Sequence, residues 1–165
     1  MPLIDLLSAG RVAIVSGSRD RAAVIETAAR LLATPASDDA TPEGVATPAS
    51  ELIGDSLHAR EQLASTAIGH GVAIPHGRLD SIDDSRGAFL RLAEPVDFGA
   101  ADGIPVDLVM AMVVPLHSNM KHLEQLAELA EYFSDPAFRL RLREAGDTLE
   151  LTRCLLAAPA CPSVA

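Results

Sequence analysis

Five histidines, His58, His70, His76, His117 and His122, are the side chains through which this sequence could do chemistry near neutral pH. An imidazole titrates there, attacks electrophiles and ligates metals. As a zinc set, His70, His76, His117 and His122 lack a His-Glu-x-x-His pair, a cysteine partner and the ligand spacing of zinc enzymes. Neither a metal nor another cofactor is expected. His58 stands beside the apolar stripe of its helical segment without being on it, which reads as a solvated or structural position.

His76 has neighbours of another kind. Pro75 stiffens the approach to it, and Gly77 leaves no side chain to obstruct a partner. The tripeptide alone fits a reactive ring and an ordinary strand-end histidine equally. His122 falls in the first turns of a predicted helix, where the positive end of the dipole disfavours a protonated ring and attracts anions. The plainer reading is a histidine bonded at the edge of the core. Arg60 comes late in a predicted helix, just before the loop into the His76 strand, and a guanidinium can hold phosphate through paired hydrogen bonds. A surface arginine with no critical contact is the alternative, and it weakens once the three residues are read together.

These side chains need elements to position them. Val12–Val15 is a short apolar run, and Ser18 offers a cap to a helix from about Arg19 to Ala33 with Ala22, Ile25, Ala29 and Leu32 on one face. Residues 34–47, almost wholly Ala, Pro, Asp, Thr and Gly, have no period and read as a mobile loop. Thr47-Pro48 opens a second helix to about Ala64, striped by Leu52, Ile53, Leu57 and Leu63. Val72–Ile74 favours a strand, and Pro75 cannot donate to a ladder, so His76 is expected where a strand ends. Gly87–Ala93 and Val106–Val114 form a hairpin-like pair with turn chemistry, and room for a short strand, between them. Ser118 caps a helix carrying Leu123, Leu126, Ala130 and Phe133; Asp135-Pro136 starts another that Gly146 can end; Asp147-Thr148 opens the last, to about Leu156. One domain over residues 1–156 and a disordered tail over 157–165 are expected.

Composition narrows the partners. With 13 basic against 23 acidic residues, a net charge of −10 repels phosphate backbones and anionic lipid, so neither nucleic acid nor membrane is expected. The longest apolar run, Val106–Pro115, is interrupted by Asp107 and is about half of what a bilayer span requires. No leader is recognisable after Met1, and a cytoplasmic setting is expected. Cys154 and Cys161 make neither a disulfide framework nor a metal spacing. With aromatics at 3%, the core has to come from Leu, Val, Ile and Ala, which suits an α/β layered domain.

The run Arg60-Glu61-Gln62-Leu63-Ala64-Ser65-Thr66-Ala67-Ile68-Gly69-His70-Gly71-Val72-Ala73-Ile74-Pro75-His76-Gly77 resembles the active-site signature of the fructose/mannitol-type enzyme IIA domains of the bacterial phosphoenolpyruvate-dependent phosphotransferase system. The likeness extends through Glu94–Phe98, Pro105–Val109 and His122-Leu123-x-x-Leu126-Ala127, and so covers Leu3 to Leu156 apart from the loop after Ala33. Ala67 departs from it, standing where many members have glycine. The resemblance implies an α/β fold with a mixed β-sheet of about five strands and helices packed on both faces. It also implies that His76 accepts a phosphoryl group from a phosphohistidine of an HPr-like carrier, with His122 and Arg60 binding the phosphoryl oxygens and the His76 ring. Ser65 and Thr66 could donate further hydrogen bonds or cap the second helix. Leu3–Ser8 and Arg78-Leu79 are more similar to the stand-alone, nitrogen-related regulatory branch, whose phosphorylation state is read by target proteins. The alternative output is phosphate transfer to a fructose- or mannitol-class IIB domain.

Overall fold

Val106–Pro115 is buried on both of its faces, with only Asp107 partly exposed, so the strand it forms has to be central and covered from two sides. That is its place in the computed structural model, which describes residues 6–7, 9–33, 50–80, 82–117 and 119–157. The elements in chain order are β1 (Val12–Val15), α1 (Arg21–Leu32), α2 (Ser50–Leu63), β2 (Ala67–Gly69), β3 (Val72–Ala73), β4 (His76–Leu79), β5 (Arg86–Val96), β6 (Val106–Pro115), α3 (Asn119–Ser134), α4 (Pro136–Glu144) and α5 (Thr148–Leu156). The expected loop over 34–47, the Thr47-Pro48 opening, the Ser118 cap, Cys161 and the tail beyond 157 lie outside the described residues.

The sheet is mixed, in the order β1-β5-β6-β3-β2, with β4 also on β6. β5 and β6 form the expected antiparallel pair from Arg86 opposite Val113 to Arg91 opposite Leu108; the register then shifts, and β5 runs on until Val96 faces Val106. β3 and β4 both lie parallel to β6, with Val72 opposite Leu108 and His76 opposite Met112. The offset is the same on either side of Ile74-Pro75. β3 and β4 are therefore one strand broken at the proline, and six assigned strands fill five positions in the sheet. His76 opens the second half of that strand; the expectation that it ends a strand is corrected, because the register survives the missing proline N–H.

Alternation along β6 sorts the core. Leu108, Met110, Met112 and Val114 pack with Phe89, Phe133, Phe138, Leu151 and Leu155, under α3, α4 and α5. Val109, Ala111 and Val113 pack with Ile25, Leu32, Ile53 and Leu57, under α1 and α2. Each fully buried side chain of this size stabilises the fold by roughly 1.5–3 kcal/mol. The Asp135 carboxylate accepts from Ala137 N at 3.0 Å, with Pro136 at the first helical position, and Asp147 accepts from Glu150 N at 2.8 Å, both as read from sequence. α1 differs: Asp20, not Ser18, caps it, accepting from Ala23 N at 2.8 Å. A carboxylate there also meets the positive end of the dipole. α4 stops at Glu144 with Ala145 as its cap rather than Gly146.

The hairpin of β2 and β3 is absent from the expected elements. His70 (φ 57°) and Gly71 (φ 79°) make its two-residue turn, with both centres left-handed as such a hairpin requires. His70 N donates to Asp102 at 2.8 Å, and its carbonyl accepts from Arg143 Nη2 at 2.6 Å.

Gly77 has a different purpose from the one its sequence suggests. A Cβ there would collide with Ser56 Oγ and lie 3.0 Å from Ser56 Cβ, so the missing side chain makes room for α2. Ser56 Oγ donates to the Arg78 carbonyl at 3.1 Å and accepts from Arg78 N at 3.0 Å, locking α2 against β4. Arg60, one helical turn beyond Ser56, is thereby carried to His76. Gly77→Ala should cost about 1–3 kcal/mol in urea unfolding through overpacking. An unchanged midpoint would show that α2 does not approach β4 this closely.

Candidate functional site

The three residues singled out in the sequence come together. Arg60, His76 and His122 line one depression of about 360 Å³, with Leu63, Gly77 and Arg78 among its other walls. Arg60 comes from the last turn of α2, His76 from the start of β4 and His122 from the first turns of α3. A smaller hollow of about 200 Å³ shares Arg60 and His76 and reaches Ser65, Ile74 and Leu126.

His76 is half-buried, and its Nδ1 lies 2.9 Å from the Ile74 carbonyl. A carbonyl can only accept, so Nδ1 carries the proton and Nε2 keeps its lone pair. Burial lowers the pKa of His76 most. The Ile74 carbonyl pulls it back up; Arg60 lowers it, Glu61 raises it and Arg78 lowers it further. The ring of His122 sits 5.3 Å from that of His76, tilted by 49°. His122 is only 5% exposed, and burial first, then His76, Arg78 and Arg60, push its pKa down to about 4. Both rings are neutral at pH 7. His122 Nδ1 is buried with no hydrogen-bond partner among the described residues, so the fold does not consume the ring's polar capacity.

Arg60 Nη1 donates to the Ala64 carbonyl at 2.9 Å, just past the end of its own helix. That bond holds the guanidinium near the depression. Ser65 and Thr66 do not reach the site as donors. Ser65 Oγ donates to the Phe98 carbonyl at 2.6 Å, and Thr66 Oγ1 donates to the Glu61 carboxylate. Of the remaining histidines, His70 makes the hairpin turn, His117 is exposed, and His58 lines a hollow between α1 and α2 with Glu26 and Asp55. Among the described residues, no three His, Cys, Asp or Glu side chains are grouped to hold a metal.

Two charged residues near the depression are not among the expected site residues. Arg78 is two positions after His76 on β4, hence on the same face, and that period-two spacing was the available signal. Glu61 is 4% exposed and continues the buried line of Ile53 and Leu57 at helical spacing. A carboxylate on a core stripe was the available signal there.

The chain is similar to known proteins over most of its length. A sequence profile described as "Phosphoenolpyruvate-dependent sugar phosphotransferase system, EIIA 2" matches residues 5–158. A protein of Pseudomonas aeruginosa named nitrogen regulatory protein is 40% identical over 145 residues, 87% of each chain. Another of that name, from Bradyrhizobium diazoefficiens, is 38% identical over 123 residues, 70% of this chain and 80% of its own. The crystal structure of nitrogen regulatory protein IIA-Ntr from Neisseria meningitidis superposes with a TM-score of 0.76 at 32% identity, covering 93% of this chain and 97% of that one.

The site makes a pH prediction. His122 is expected to titrate near pH 4 by NMR, against 6.5 for an unburied ring. The unfolded chain then binds this proton more readily, so stability is full above about pH 6.5 and falls as pH drops towards 4. His76 adds in the same direction. Urea unfolding of the wild type should therefore weaken between pH 7 and pH 4.5, and His122→Phe should weaken visibly less. An equal slope in that variant would mean that His122 is not held neutral by the fold.

Proposed function

The chain belongs to the phosphoenolpyruvate-dependent sugar phosphotransferase system EIIA 2 family, on the side of the proteins named nitrogen regulatory protein, and on that premise we propose that His76 is its phosphoryl acceptor. The phosphoryl group comes from a phosphohistidine of an HPr-like carrier in the cytoplasm, and the phosphorylated state is read by regulatory target proteins. One domain over residues 1–156 carries the whole activity. The observation that supports this most is the meeting of Arg60, His76 and His122 in one depression, with His76 Nδ1 tied to Ile74.

In the transfer, the Nε2 lone pair of His76 forms a bond to phosphorus as the donor ring leaves with the electron pair of its broken N–P bond. The protein need do little covalent work; it aligns the two rings and stabilises charge on the equatorial oxygens. Arg60 and Arg78 supply fixed positive charge beside the acceptor, and the neutral His122 supplies a ring N–H in a largely water-excluded position. The acceptor ring becomes cationic as the bond forms. The Ile74 carbonyl opposite Nδ1–H stabilises that charge.

The alternative recipient is a IIB domain of a sugar permease. Similarity to proteins named nitrogen regulatory protein favours the regulatory reading. Incubation with phosphoenolpyruvate, enzyme I and an HPr-like carrier should add one acid-labile phosphate, and His76→Ala should abolish it; label persisting in that variant would overturn the assignment. Arg60→Ala and His122→Ala should each slow acceptance by about a hundredfold, the scale on which loss of one oxyanion donor acts. Full speed in either would reduce that residue to structure. Rapid passage of the phosphate to a purified IIB domain would favour transport instead.

A further inference from the structure

Glu61 is a buried carboxylate on the site side of α2, and the mechanism above does not use it. Burying a carboxylate is costly unless it is paired and hydrogen-bonded, and an apolar residue continuing Ile53 and Leu57 would fill the same stripe more cheaply. Its contacts suggest what it is for. Oε1 accepts from Thr66 N at 3.1 Å, and Oε2 accepts from Thr66 Oγ1. Arg21 Nη1 reaches it from α1 at 3.7 Å.

Thr66 is not an isolated loop residue. Its carbonyl accepts from Ile74 N at 3.0 Å, and the Ile74 carbonyl is the acceptor for His76 Nδ1 at 2.9 Å. A continuous hydrogen-bonded path thus runs from Glu61 through Thr66 and Ile74 to the ring. On the far side of Ile74, Pro75 offers no N–H, and its carbonyl accepts from Met112 N at 2.9 Å. The peptide plane that aims at the ring is therefore fixed from Thr66 on one side and β6 on the other.

We propose that Glu61 is a positioning residue for His76: by holding Thr66 it fixes the Ile74 carbonyl, and with it the choice of which ring nitrogen is bare. The proposal rests on His76 being the phosphoryl acceptor for its kinetic consequence, but not for its structural one. The carboxylate also faces the ring as a negative charge against Arg60 on the same helix, Arg78 on β4 and His122 on α3. It favours the cationic ring that transfer produces.

The test separates these roles. In wild-type protein with ¹⁵N-labelled histidine, NMR should report His76 as a single tautomer, protonated at Nδ1. Glu61→Ala should average the two ring nitrogens and slow phosphate acceptance from the HPr-like carrier by about tenfold to a hundredfold, the range for misplaced reacting groups. Glu61→Gln keeps acceptors and donors for Thr66 but not the charge. It should retain the tautomer while the His76 protonation midpoint moves lower still. A folded Glu61→Ala with the wild-type ring shifts overturns the proposal, as does loss of the tautomer in Glu61→Gln. If Glu61→Ala does not fold, Glu61→Leu takes its place, since an apolar side chain fills the stripe but accepts from neither Thr66 N nor Thr66 Oγ1; averaged shifts support the proposal and wild-type shifts overturn it. Should the wild type accept no phosphate at all, the reading of His76 fails while the tautomer measurement still decides Glu61.

Discussion

Pro75 breaks a strand without breaking its register, and the surroundings of His76 follow from how the backbone groups around that break are satisfied. The Ile74 N–H goes to Thr66, the Pro75 carbonyl goes to the Met112 N–H, and the Ile74 carbonyl is left to the His76 ring. Every buried backbone group needs a partner, so a carbonyl turned out of the ladder must find one nearby. The ring that it finds has one nitrogen committed and one bare. A proline in the middle of an otherwise ordinary strand thus converts a ladder position into a chemically asymmetric imidazole.

Charge works on the same spot in two directions. The chain as a whole is acidic, with a net charge of −10, yet Arg60 and Arg78 both stand at the depression with the two rings. Burial of the rings first, and that positive charge after it, hold both histidines below the ordinary imidazole pKa. A neutral ring is the nucleophilic one, and the arginines that add to the effect of burial are also suited to an anionic group arriving beside it. The acidic remainder of the surface offers phosphate little competition.

That Arg60, His76 and His122 stand together was legible because each sits beside a strong local signal: a helix end, a proline-flanked strand and a helix start. The β5–β6 hairpin and the caps at Asp135 and Asp147 were legible for the same reason. What was not legible depends on contacts between distant segments. The small size of Gly77 reads locally as access for a partner, whereas the space is taken by Ser56, 21 positions earlier. Ser18 and Asp20 are both good caps, and only the entry direction of the chain chooses between them. Glu61 continues the stripe of Ile53 and Leu57, but its partner comes into place only when the loop at Thr66 folds over it. Arg78 was noticed for its likeness to one branch of a family, not for the face that it shares with His76. The expected count of five strands also holds only when the two pieces flanking Pro75 are seen as one.

The bare nitrogen is where geometry and chemistry meet, and the position of the phosphorus tests it most directly. After phosphorylation by phosphoenolpyruvate, enzyme I and an HPr-like carrier, ³¹P NMR of protein with ¹⁵N-labelled histidine should show one phosphorus coupled to Nε2 of His76. Coupling to Nδ1 would mean that the Ile74 carbonyl does not set the reactive nitrogen, and phosphorus on any other residue would contradict His76 as the acceptor.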